Sequence, residues 1–69
     1  SETDVNMFEN YFSGLNDRVS SVYKEARKAP KITDSEKKQL AKDLRSDKTL
    51  LNKVHDNLKK AISHNFNAD

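Results

Sequence analysis

Lys48, Asn52, Lys53, Lys59 and Lys60 recur toward the C-terminal end of the chain at spacings that a helix gathers on one side. A row of ammonium groups suits phosphates, because each makes an ion contact that carries no sequence information. The Asn52 amide has the donor and acceptor needed to address a base edge. Arg27, Lys28 and Lys31, joined by Lys24, form a second cationic group around Pro30. That group would grip a second stretch of phosphates, or would only satisfy the last carbonyls of a preceding helix. The plain alternative for the lysines is a solvated helix side.

The charges are unevenly placed along the chain. Glu2, Asp4, Glu9 and Asp17 give the first seventeen residues a net −4 with no cation, and thirteen Lys and Arg against seven acids give the remainder +6. An acidic head and a basic body on one small chain point to a polyanionic partner. Nucleic acid comes first, with an acidic protein or a membrane surface behind it.

Other chemistries find no support. His55 and His64 stand nine residues apart, without cysteine or clustered carboxylates, so no metal site is expected. There is no Ser-His-Asp constellation, phosphate-cradling glycine loop or carboxylate pair, so neither an enzyme nor a cofactor is expected. The longest apolar runs are pairs such as Met7-Phe8 and Leu50-Leu51, too short for a membrane span. The chain begins with Ser1 rather than Met, which reads as a fragment of a longer protein.

Sixty-nine residues make a single domain, residues 1–69, and one Gly with one Pro argue for an all-α fold. The expected helices are about 3–28, 33–45 and 47–65. In the first, Val5, Phe8, Phe12, Leu15, Val19, Val22 and Ala26 alternate spacings of three and four. Such a stripe packs on its own chain or seams a coiled-coil dimer. Gly14 would permit a close helix crossing or mark a kink. Tyr11 and Tyr23 flank the stripe, placed either to pack at the core edge or to stack on a base. Pro30 ends the helix and makes Ala29–Ile32 a loop. Thr33-Asp34-Ser35-Glu36 reads as a capping box, and Leu40, Ala41 and Leu44 face the core behind it.

Ser46 and Asp47 then read as a cap opening the third helix. It would bury Leu50, Leu51, Val54, Leu58, Ala61 and Ile62, with Phe66 closing the core. His55 reads as a core-edge or interface residue. A core this small favours oligomerisation. The broad apolar arc makes Leu51, His55, Leu58 and Ile62 the expected homodimer interface.

Gln39-Leu40-Ala41-Lys42-Asp43-Leu44, a turn, and Thr49-Leu50-Leu51 resemble a helix-turn-helix or homeodomain-like unit, over roughly residues 32–66. The turn Arg45-Ser46-Asp47-Lys48 departs from that pattern: it lacks glycine and an apolar plug, and is about one residue short. In length and helix order the whole chain is similar to the C-terminal domain of the membrane-associated DNA-replication organisers of φ29-like Bacillus phages. That resemblance implies a homeodomain-like dimer that binds single- and double-stranded DNA with little sequence preference. It also implies phage DNA replication as the host process. The parent protein would lie at the cytoplasmic side of the bacterial membrane, anchored by segments outside this soluble fragment. The recognition role would fall to Lys48, Asn52, Lys53 and Lys59. The alternative is a helical bundle or coiled coil docking an acidic or helical protein partner.

Overall fold

The computed structural model describes residues 2–67, with side chains described through His64. Two helices account for it: α1 (Glu2–Ala26) and α2 (Asp34–Asn67). They pack antiparallel as an all-α hairpin whose Cα trace measures 56 × 17 × 7 Å. The 7 Å dimension is that of one layer of helices.

The connection follows from local chemistry. Past Ala26 the chain tightens, with Lys28 N–H donating to the Glu25 carbonyl at 3.0 Å and Ala29 N–H to the Ala26 carbonyl at 3.2 Å. A turn over Ala29–Ile32 follows, closed by Ile32 N–H donating to the Ala29 carbonyl at 3.4 Å. Pro30 and Lys31 are its central residues, and Lys31 has φ 64°. Proline followed by a positive φ is the type II pattern.

The capping box then starts α2 as expected. Glu36 N–H donates to Thr33 Oγ1 at 3.1 Å, and Thr33 N–H donates to Glu36 Oε1 at 3.0 Å. Hydrogen bonding from the Thr33 backbone N–H, and secondarily from its side chain, holds the Glu36 carboxyl below its usual range. A cap of this kind is worth about 1 kcal/mol.

The expected three-helix arrangement is corrected here. No turn interrupts Arg45–Lys48, and α2 runs continuously through Ser46 and Asp47. Leu40, Leu44, Leu51, Leu58 and Ile62 keep one unbroken helical register, with Asp47 occupying one of its slots. Breaking the helix there would forfeit several backbone hydrogen bonds for one cap worth about 1 kcal/mol. Both polar side chains nearby are satisfied without a break. The Tyr23 hydroxyl of α1 donates to Asp47 Oδ2, and Thr49 Oγ1 donates to the Arg45 carbonyl at 2.9 Å. The turn that the helix-turn-helix resemblance requires is therefore absent. The role given to Phe66 lies outside the described side chains.

Among the described residues none is fully buried. The α1 stripe does pack within its own chain: Val5, Phe8, Phe12, Leu15, Val19 and Ala26 are half-buried. Val22 remains exposed, as do Met7, Tyr11, Leu50, Val54 and Leu58; the six keep 44–67% of their surface. At about 100° per residue, all six fall on the same side of the hairpin. Each helix meets the other along one flank of its apolar arc and leaves the other flank uncovered. A Cβ at Gly14 would meet nothing within 4 Å, so no close crossing occurs there.

Candidate nucleic-acid interface

The side opposite the apolar one carries the cations. Lys38, Lys42, Arg45, Lys53 and Lys60 follow α2 there and are exposed. Of the cations borne by the two helices, only Arg18 falls on the apolar side.

Near the loop, the end of α1 and the start of α2 bring four cations together. Lys24, Arg27, Lys28 and Lys37 line a cleft of about 280 Å³ with Ser20, Tyr23 and Leu44. Lys28 lies 3.8 Å from Glu25, both side chains well exposed. Sequence reasoning missed Lys37. Its place one turn before Leu40 and Ala41, on the α1-facing register, was the available signal. Lys31 is exposed in the turn but does not line this cleft.

The remaining predicted residues divide. Lys53 and Lys60 are exposed, and Asn52 is exposed at the rim of a groove of about 220 Å³ between the helices. Lys48 is half-buried near the seam. Lys59 is drawn toward α1, its Nζ 2.9 Å from Glu9 Oε1. That oxygen is closed off from solvent, and the two groups form an ion pair across the hairpin. Lys59 is thus partly neutralised within the chain.

His55 is engaged within its own chain. Its ring stacks on Phe8 with centroids 5.5 Å apart and lies against Phe12 at 5.1 Å. Glu9 Oε2 is 2.9 Å from Nε2. Lys59, foremost, and His55 hold the Glu9 carboxyl below its usual range, against the opposing effect of desolvation. A carboxylate can only accept, so Nε2–H is the donor. Leu51 and Ile62 are half-buried along the α1-facing side, whereas Leu58 is exposed. Tyr23 is fixed by Asp47, and Tyr11 stands open on the apolar side with its edge toward Phe12, 5.9 Å away.

Among the described residues no group of His, Cys, Asp or Glu is arranged to hold a metal ion, and no helix is long and apolar enough to cross a membrane. Fold and site define an all-α helical hairpin with one cationic and one apolar side. Comparison with family models, curated proteins and solved structures finds no match for this chain.

Proposed function

We propose that this chain is a sequence-independent DNA-binding module, not an enzyme, that works as a dimer by neutralising phosphates. The observation that carries the reading is the segregation of cations onto one side of the hairpin. From Lys37 to Lys60 that side extends about 35 Å. This matches roughly ten phosphate spacings along one strand. Lysines reaching phosphates do not depend on base pairing, so single and double strands are both substrates. Lys53 and Lys60 make the central contacts, with Lys24, Arg27, Lys28 and Lys37 gripping a further stretch near the loop. Asn52 is placed to touch a base edge. Within this proposal the resemblance to the phage replication organisers supplies the setting. A longer parent protein would hold DNA at the host membrane, and this module would be its DNA-binding end.

The test is a salt titration on unrelated duplexes and single strands, followed by fluorescence anisotropy. Six phosphate contacts give a slope of about −5.4 in log affinity against log salt on duplex DNA, and less on single strands. A flat response, or binding confined to one sequence, overturns the proposal. A second reading, a module docking an acidic or helical protein, is favoured by the open apolar side. Loss of nucleic-acid binding with retained capture of an acidic helical peptide would select it.

A further inference from the structure

We propose that the apolar side of the hairpin is the interface between two copies of this chain, stacked face to face and end to end. The dimer's two cationic sides then point in opposite directions and hold two nucleic-acid segments at once.

The need for a cover is physical. A stable domain closes its core between two packed layers. This chain provides one, with no described residue fully buried. A globular protein of 7.9 kDa is expected to expose about 4,400 Å². This one exposes 5569 Å², an excess of roughly 1,150 Å² over that scaling. A standard interface covers about 800 Å² per partner, so a second copy would cover the larger part of the excess.

The occupant follows from the residue pattern. Met7, Tyr11, Leu50, Val54 and Leu58 gather on the half of the apolar side away from the loop. Arg18, Glu25, Glu36, Asp43 and Asp47 crowd the loop half of the same side. A two-fold axis lying across the hairpin at the level of Tyr11 and Val54 superposes the two apolar halves. It sends the two acid-rich loop halves out at opposite ends, so they do not meet. This axis places Met7 opposite the second copy's Leu15, and Leu50 opposite the second copy's Leu58. Tyr11 and Val54 meet their own counterparts, as an isologous contact requires.

The charges agree with this register. Arg18 lies seven residues from Tyr11 toward the loop, and Asp4 lies seven residues the other way. The same axis therefore sets Arg18 against the second copy's Asp4, twice per dimer. A foreign partner has no reason to match this internal symmetry. The result is an antiparallel four-helix bundle. Its interface differs from the one expected from sequence, sharing Leu58 and leaving Leu51, His55 and Ile62 to the contact with α1.

The claim of two nucleic-acid segments rests on the DNA-binding reading; the interface does not. The chain has no cysteine, so introduced ones report proximity cleanly. Under mild oxidation, Val54→Cys and Tyr11→Cys should each give cross-linked dimers, while Asp56→Cys on the cationic side should not. In sedimentation equilibrium the wild type should be dimeric at micromolar concentration. Val54→Glu should be monomeric with its helical circular dichroism retained. Arg18→Asp should weaken dimerisation several-fold, and adding Asp4→Arg should restore it. A wild-type chain that stays monomeric at millimolar concentration, or equal cross-linking at Val54 and Asp56, overturns the interface. In the second arm, wild-type protein should retain a labelled duplex on an immobilised one. Val54→Glu should bind single duplexes but lose that retention. A dimer that binds no DNA leaves the interface standing and removes the nucleic-acid reading alone. A dimer that binds DNA without bridging overturns the outward placement.

Discussion

The Glu9 carboxylate reaches across the hairpin to His55, with Oε2 2.9 Å from Nε2, while its other oxygen faces Lys59. One acid from the anionic head of the chain thereby ties α1 to two residues a full turn apart on α2. The pair lies beside the Phe8 and Phe12 rings, on which the His55 imidazole rests.

This contact makes stability depend on pH. Glu9 titrates below its ordinary value of 4.5, chiefly because of Lys59 and then His55, and Glu36 is lowered by its bonds from Thr33. Charged carboxylates therefore belong to the folded state. Their contribution is present above pH 4.5 and drains away as pH falls through the folded-state values. Thermal melts should show wild-type stability dropping in that acid range. Glu9→Gln should be less stable at neutral pH and lose less on acidification. An unchanged pH profile in this variant would remove Glu9 as a source of the dependence.

A second dependence lies at alkaline pH. The hydrogen bond to Asp47, assisted by burial, raises the Tyr23 phenol above its ordinary 10.0. The neutral phenol belongs to the folded state, so its contribution is complete below pH 10 and fades as pH rises through the folded-state value. Tyr23→Phe should melt earlier at neutral pH and show a flatter decline above pH 10. Ultraviolet titration of the phenolate should place Tyr23 above its ordinary 10.0.

Gly14 sits in the middle of α1 with open space where a Cβ would go. Gly14→Ala should stabilise the hairpin by about 1 kcal/mol, the usual difference in a helix interior. Chemical denaturation measures it directly. A destabilised variant would mean that some contact at this position requires glycine.

Lys31 holds a left-handed conformation at φ 64° that its side chain disfavours. Lys31→Gly should raise stability by about 1 kcal/mol, and a β-branched substitute should lower it. Because one exposed cation is lost, the glycine variant should also show a salt slope shallower by no more than about one unit in DNA binding. Stability and affinity thus move in opposite directions in one protein, which separates the turn from the charge.

The cationic side offers the functional test. Changing Lys53 and Lys60 to Ala together should weaken binding alike across DNA sequences and reduce the salt slope by about two. Lys37→Ala should reduce it by about one while leaving the melting curve nearly unchanged. An unaltered slope in all three positions would exclude this side as the binding surface.

The helix ends that flank the loop were legible in the residues. Pro30 and the Thr33–Glu36 pair act on neighbours a few positions away, and such contacts form in any fold the chain adopts. The two amphipathic stripes were legible for the same reason, since helical spacing alone decides which residues share a side. The break expected at Ser46 and Asp47 was not there, because a local cap competes with an unbroken register running from Leu40 to Ile62. What tipped the balance was distant: the Tyr23 hydroxyl, twenty-four residues away, satisfies Asp47 within a continuous helix. Distance in sequence also hid the pairing of Glu9 with His55 and Lys59, and the arrival of Lys37 beside Lys24, Arg27 and Lys28. Each apolar arc is wider than the contact one helix can cover. Only the packing of α1 on α2 decides which flank is used, and therefore that both open flanks share one side and nearly all the cations the other.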